Sequence, residues 1–346
     1  MKKKIAIIFG VTGQDGSYLA KFLLGKNYLV HGVMRRSSNL NTFRVDDIYK
    51  NPFSKNQNFK LHYGEVTDTS SVFSIIKNIK PDEIYNLAAQ SHVAVSFDIP
   101  IYTANANAIG TLVILDAIYK TDKKIRFYQA GSSEMFGKVL NRVQNEQTPF
   151  YPRSPYGVAK VYAHWITKNY REAYNIFASN GILFNHESPL RGETFVTKKI
   201  VKALCKIKHR KQKKLYLGNL YSMRDWGHAE DYVEAMWKIL QYKKPDDFVI
   251  CTGKQYSIKQ FVNMVCKKLN ISLYWRGKGI NEKGYDKSNN IIIECKKKYF
   301  RPAEVDNLLG DFSKAKKYLN WKPKKNIHDL IIEMINYELT SLDENK

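Results

Sequence analysis

Short apolar runs and amphipathic stretches alternate through the first half of the chain. Ile5 to Phe9 is a continuous apolar run, and after a glycine-rich turn the apolar positions of Ser17 to Leu24 recur at helical spacing. The pattern then predicts strands over 29–34 and 60–63, a helix over 70–79, a strand over 83–87, a helix over 105–119 and a strand over 125–130. Strands that alternate with helices predict an α/β architecture built on a parallel, doubly wound sheet.

This regular alternation lapses after about residue 185. Residues 227–240 and 248–253 are expected to return to the sheet, while helical patterns at 258–269 and 327–339 flank a lysine-rich, glycine-containing segment, 276–298. That segment is expected to form a loop or hairpin over the cleft. The expected division is a Rossmann-type nucleotide-binding domain of residues 1–185, joined by 227–253. A smaller mixed α/β lobe of 186–226 and 254–346 would take the substrate, with 343–346 frayed.

Composition narrows the class. The chain has 346 residues, 44% of them hydrophobic, enough for a large core. No uninterrupted apolar run approaches the roughly 20 residues of a membrane span, so no membrane partner is expected. The lysines before Ile5 imitate a signal peptide, but the apolar run stops at Gly10 without a cleavage site. Cys205, Cys251, Cys266 and Cys295 form no CxxC pair, which points to a reducing cytoplasm. The net charge of +24 raises the question of nucleic acid, yet its lysines are scattered along the whole chain. Solvated faces are the expected role, with no nucleic-acid partner.

Chemistry enters at the glycine turn. Gly10, Thr12, Gly13, Gln14, Asp15 and Gly16 join a strand to a helix N-terminus, where unpaired N–H groups can hold a pyrophosphate. The second strand ends at Arg35 and Arg36, where an NAD-specific unit would carry an acidic residue. Two guanidiniums there predict NADP. Glu65 and Val66, and Leu87, Ala88, Ala89 and Ser91, lie at two further strand ends, the edge at which such sheets bind cofactor.

Ser132, Ser133 and Glu134 follow the strand ending at Ala130, and Tyr156 and Lys160 lie one helical turn apart. Tyrosine and lysine at that spacing are common on surfaces in a chain with 23 tyrosines. The pair gains force from the serine and the glycine loop upstream, because an adjacent ammonium favours the phenolate a tyrosine base needs. Eight histidines form no HExxH or clustered pattern, so no metal is expected.

Glycine loop, strand-end serine and Tyr-x-x-x-Lys together resemble the extended short-chain dehydrogenases. Within them nearly the whole chain is similar to the GDP-mannose 4,6-dehydratase family. The resemblance rests on Gly13 to Leu19, Arg35 to Ser38, Pro149 to Tyr156, Asn180 to Pro189, Arg224 to Gly227 and Tyr299 to Val305. It implies a lyase that recycles NADP. Tyr156, helped by Lys160 and Ser132, would take the 4-hydroxyl proton of a GDP-linked manno-sugar, and Glu134, in the turn with Ser133, would take the C5 proton and assist loss of the 6-hydroxyl. The resemblance also implies His186, Arg191 and Tyr102 beside the cofactor, and Asn185, Lys199, Gly218, Arg224, Arg301 and Glu304 facing the GDP-sugar. It further implies a homodimer or homotetramer in which the Arg35 to Arg44 loop reaches a neighbouring subunit.

Two departures from the family pattern stand out. Gly131-Ser132-Ser133-Glu134 replaces Ser-Thr-Ser-Glu, and Glu65-Val66 replaces Asp-Leu. The lost bulk at 131 and 132 suggests a larger pocket that would accept GDP-manno-heptose as well as GDP-mannose. Rival expectations are a sugar-nucleotide 4-epimerase, which needs no base at Glu134, and a basic NADP-sensing or nucleic-acid-binding protein.

Overall fold

The structure, a computed structural model, describes residues 3–38, 41–49, 57–139, 142–300, 303, 305 and 307–344. Strand β1 (Ile5–Phe9) enters the core at once, with Ala6 to Phe9 fully buried, and helix α1 (Gln14–Gly25) returns the chain to β2 (Leu29–Met34) and β3 (Phe59–Tyr63). Helix α2 (Thr69–Ile79) starts where the Asp68 carboxylate accepts from the Ser70 and Ser71 N–H groups, a cap that fixes its first turn. Next come β4 (Glu83–Asn86), short helices α3 (Val95–Asp98) and α4 (Pro100–Ala104), a π-helical turn (Asn105–Ile109), α5 (Gly110–Thr121) and β5 (Arg126–Ala130).

After β5, the Ser154 hydroxyl accepts from Gly157 N, and Pro155, needing no N–H partner, opens α6 (Pro155–Tyr174). The remaining elements are β6 (Ala178–Leu183), β7 (Asn185–Glu187), α7 (Val196–Lys208), β8 (Leu215–Leu217), β9 (Met223–Arg224), β10 (Trp226–His228), α8 (Ala229–Gln241) and β11 (Asp247–Ile250). They end with β12 (Tyr256–Ser257), α9 (Ile258–Lys268), β13 (Tyr274–Arg276), β14 (Lys283–Tyr285), β15 (Ile291–Cys295), α10 (Ser313–Leu319) and α11 (Ile327–Glu344).

Seven parallel strands in the order β11-β6-β5-β4-β1-β2-β3 form the doubly wound sheet. Chain direction switches sides between β1 and β4, the position at which such sheets open a crevice. One apolar core joins α1 and α8 to the sheet, and another joins α2 and α5 to its opposite face. The fold is therefore an α/β Rossmann-type sheet with a smaller C-terminal mixed lobe. That lobe carries the four-stranded sheet β13-β14-β15-β8, packed with α7, α9 and α11 around a separate core.

Several expectations need correction. Of the stretch expected to rejoin the main sheet, β11 does so beside β6, but β10 pairs with β7 in a separate two-stranded sheet and 229–241 is the helix α8. The 276–298 segment is a hairpin in the second sheet, and only its exit at Lys298 borders the main cavity. Asp343 and Glu344 complete α11 instead of fraying, and residues 345–346 lie outside the described ones. The stretch Pro100–Thr121 does match a membrane span in length and apolarity. It is 61% buried, with α5 packed against α2 and α6, which is how a core helix satisfies an apolar surface.

Candidate active site

A cavity of about 570 Å3 opens at the carboxyl ends of the strands, between the sheet and the smaller lobe. At one end is the glycine loop. Gly10 has φ +81°, and a Cβ there would sit 2.8 Å from the Ala88 nitrogen, so only glycine lets β1 pass this close to the strand end after β4. A Cβ on Gly16 would come 2.4 Å from the Gly10 carbonyl, so its absence seats α1 tightly on the loop. Gly13 precedes α1 with no side chain capping it, leaving backbone N–H groups at the helix end for an anion. These features fit a dinucleotide pyrophosphate.

The catalytic candidates meet in the middle of the cavity. Ser132, Ser133, Glu134, Tyr156 and Lys160 all line it. Ser132 caps the single turn of 3-10 helix Ser133–Met135 by accepting from Glu134 N at 3.2 Å. Gly157 lets this turn press against α6, since a Cβ there would lie 2.9 Å from the Glu134 carbonyl. A strand end, one capped turn and the first turn of α6 thus bring Glu134 and Tyr156 to the same place.

Burial raises the Tyr156 phenol to about 12. A hydrogen bond from Ser132 pulls it down, and the Glu134 charge pushes it back up. Lys160 was expected to favour the phenolate directly. Instead its ammonium, held down to about 8 by burial, donates to the Ala130 carbonyl at 2.8 Å and stands 5.9 Å from the Tyr156 ring centroid. Ser132 is the stronger influence on Tyr156 in this arrangement.

Asp15 and His186 form the floor. His186 Nε2 lies 2.7 Å from Asp15 Oδ2, while Nδ1 bonds the Phe184 carbonyl at 2.8 Å and the ring stacks on Tyr232. Burial alone would raise the Asp15 carboxyl, but His186, Gln14 and Arg191 hold it at about 2. Burial would lower His186, but Asp15 outweighs it and raises the imidazole. Arg191 lines the same cavity, with Nε 3.0 Å from Glu187 Oε2 and its guanidinium over the Phe195 ring at 3.6 Å. Gln14 is turned inward, donating to His186 O and accepting from Ser188, so its side chain braces the loop.

Toward the smaller lobe the cavity is lined by Asn185, Lys199, Gly218 and Arg224. The Asn185 Oδ1 atom is buried without a partner, and Lys199 Nζ sits 3.5 Å over the Tyr299 ring. A Cβ on Gly218 would lie 2.3 Å from the Tyr299 carbonyl, so glycine lets residues 298–300 close that end. Asp225, beside Arg224, is pushed up to about 6 by burial, despite bonds from Thr252 and Gly253 that tie this strand to the end of β11. Arg301 and Glu304 lie outside the described residues.

Leu87, Ala89 and Ser91 line the cavity, while the Ala88 backbone backs Gly10. Arg35 and Arg36 are exposed beyond the cavity, and Arg35 donates to the Tyr102 hydroxyl at 3.0 Å, which joins two residues expected near the nucleotide. Glu65 and Val66 do not border the cavity. Val66 is buried beneath Gly110, so its side chain serves the core and only its backbone could meet a ligand. Thr12 gives its carbonyl to Arg44. That bond, with a second to the Leu190 carbonyl, ties Arg44 to the glycine loop and to the segment after β7.

The pocket argument from Gly131 does not hold. A Cβ at 131 would strike the Gly181 carbonyl at 2.8 Å and the Met135 methyl at 3.1 Å, which are core atoms, so the missing side chain does not enlarge the cavity. Sequence reasoning also missed His92, Phe195, Asn219 and Trp226, which line the cavity. His92, Phe195 and Asn219 belong to no local motif and arrive through a loop or a helix start whose position only tertiary packing sets, whereas Trp226, on β10, lies within the block Arg224 to Gly227, which is the signal that could have found it.

Comparison with known proteins gives the family. A family model described as GDP-mannose 4,6 dehydratase matches residues 7–334. The chain is 53% identical to GDP-mannose 4,6 dehydratase 2 of Caenorhabditis elegans, covering 99% of this chain and 91% of that one. It is 54% identical to GDP-mannose 4,6-dehydratase of Vibrio cholerae serotype O1, covering 98% and 94%. In fold it is similar to dTDP-glucose 4,6-dehydratase of Bacillus anthracis in complex with NAD, at a TM-score of 0.81 and 20% identity over 98% of each chain. With sequence matches above half identity along almost its entire length, this chain belongs to the GDP-mannose 4,6-dehydratase family.

Proposed function

We propose that Tyr156, Ser132 and Glu134 carry out the proton transfers of an NADP-dependent 4,6-dehydratase acting on a GDP-linked manno-sugar and giving the GDP-4-keto-6-deoxy sugar. The enzyme is a lyase with a nicotinamide cofactor. The observation that carries the residue assignment is the meeting of Ser132, Glu134, Tyr156 and Lys160 in one cavity that also reaches the glycine loop side at Asp15.

When bound, the nicotinamide supplies a hydride acceptor for C4 and later the same hydride for C6. Tyr156 takes the 4-hydroxyl proton as C4 becomes a ketone, and Ser132 holds the tyrosine oxygen while that proton moves. The new ketone acidifies C5. Glu134 removes the C5 proton and delivers it to the 6-hydroxyl, which leaves as water and makes a double bond between C5 and C6. Tyr156 then returns its proton to C5 as C6 is reduced, so atoms and electrons balance with one water lost. Lys160 fixes the turn through Ala130 and keeps a positive charge near the phenol. Asp15 and His186 hold the glycine loop to strand β7.

Arg35 and Arg36 support NADP, since paired guanidiniums suit a 2′-phosphate. Comparable affinity for NAD and NADP in a titration would contradict this. GDP-mannose and GDP-manno-heptose both remain substrates under the proposal, the case for the heptose now resting on the single methyl missing at 132. The exposed apolar side chains Ile101, Ile109, Val158 and Trp165 between α4 and α6 support a homodimer or homotetramer. The four buried free cysteines support a reducing cytoplasm. The test of function is incubation of the purified protein with NADP and a panel of GDP-, UDP- and dTDP-sugars. Loss of water from GDP-manno-sugars alone is expected, and isomerisation at unchanged mass would replace this reading with an epimerase.

A further inference from the structure

The loop between β7 and α7 is a partition. Arg191 lines the catalytic cavity on one side and a second cavity of about 370 Å3 on the other. The second cavity is walled by Phe43 and Arg44, by one face of α7 and by the end of α11. Its volume falls within the roughly 300–1,000 Å3 usual for small-molecule pockets.

Its charge is unbalanced. Lys198, Lys202 and Lys206 recur every fourth residue, so they share a face of α7 and all border the cavity with Arg44 and Arg191. The carboxylates bordering it are Glu193 and Glu338, and these are taken by Lys202 and Lys198. Arg191 pairs with Glu187 on the catalytic side. Arg44 spends its N–H groups on the Leu190 and Thr12 carbonyls, which carry no neutralising charge. Among the described residues neither Arg44 nor Lys206 makes an ion pair, so the cavity gathers excess positive charge inside a partly enclosed space. Phe43 and Tyr337 present half-exposed rings at its rim, against which the organic part of a ligand would lie.

We propose that this second cavity is an effector site for a phosphate-bearing small molecule, and that Arg191 passes its occupancy to the catalytic cavity. Guanidinium forks and lysine ammoniums are the groups that bind phosphate oxygens. Arg44 links the glycine loop, through Thr12, to the partition, through Leu190. A phosphate drawing on Arg44 and Arg191 therefore pulls on both the cofactor loop and the wall beside His186. Because coupling is reciprocal, the effector must change affinity for the GDP moiety as GDP changes affinity for it.

Inorganic pyrophosphate is the probe, titrated calorimetrically into NADP-loaded protein saturated with GDP so that the catalytic diphosphate subsite is filled. One further equivalent is expected to bind, weakened at least about ten-fold in a Lys202→Glu/Lys206→Glu variant and measurably in the milder Lys206→Gln. Beyond the competition at the catalytic diphosphate subsite that both proteins share, GDP affinity is expected to change with pyrophosphate by about five-fold or more in the native protein relative to the double variant. Absence of binding to the GDP-saturated protein, or unchanged binding in Lys206→Gln and in a folded double variant, would overturn the site. Binding without that difference in GDP affinity would overturn the coupling. Turnover without pyrophosphate is expected to be unaffected by Lys206→Gln, so failure here leaves the dehydratase reading standing.

Discussion

Asp15 and His186, separated by most of the nucleotide-binding sheet in sequence, face each other at 2.7 Å as an ion pair on the floor of the catalytic cavity. Asp15 is held at about 2, so its contribution to stability is full above its ordinary value and is lost as pH falls toward 2. His186 is raised, so its contribution is full below an ordinary histidine value of about 6.5 and is lost as pH rises through its higher folded value. The pair is therefore worth most between roughly pH 4 and 6.5.

Asp15→Asn is expected to destabilise the protein by roughly 3 kcal/mol in that window, the usual scale for stranding one member of a largely buried pair. The loss should shrink above neutral pH as His186 becomes neutral. Thermal melts of both proteins from pH 4 to 9 check this, and a loss that does not vary with pH would contradict it.

Ser132→Ala removes the hydrogen bond that lowers Tyr156, leaving burial and the Glu134 charge to raise it further. The rise of kcat with pH that reports Tyr156 ionisation is expected to move to higher pH, with kcat lower by roughly 10²-fold at neutral pH. A pH-rate profile with an unmoved ascending limb would show that Ser132 does not act on Tyr156.

Glu134→Gln is expected to leave oxidation at C4 detectable as reduced-nicotinamide absorbance while slowing water loss by about 10²- to 10⁴-fold. Single-turnover spectra with GDP-mannose, followed by mass analysis, separate the two steps. Dehydration at the native rate would remove Glu134 from the chemistry.

Gly131→Ser places a Cβ against the Gly181 carbonyl and the Met135 methyl. Overpacking of this kind costs roughly 1–3 kcal/mol. A lower melting temperature is expected, with the ratio of kcat/KM for GDP-manno-heptose and GDP-mannose unchanged. A shifted ratio would show that position 131 does face the sugar.

Much of this was legible locally. The run Ile5–Phe9, the glycines after it and the Tyr156–Lys160 spacing are short-range patterns whose geometry follows from strand, turn and helix periods, and each lies in the expected element. The helix expected over 105–119 begins earlier, at Pro100, because a π-helical turn carries α4 into α5 without a break that composition would reveal. What stayed hidden depends on long-range contact. The ion pair of Asp15 with His186, the inward turn of Gln14 and the donation of Lys160 to Ala130 all join segments that no local period relates. Gly131 misled for the same reason, since the direction of its missing side chain is set by the neighbouring strand β6.

The internal return of hydride is most directly tested with GDP-mannose carrying deuterium at C4, incubated with the NADP-loaded protein. The expected product is one water lighter and carries the deuterium at C6. Deuterium released to free cofactor, or a product of unchanged mass with the label still at C4, would contradict a dehydratase built on Tyr156 and Glu134.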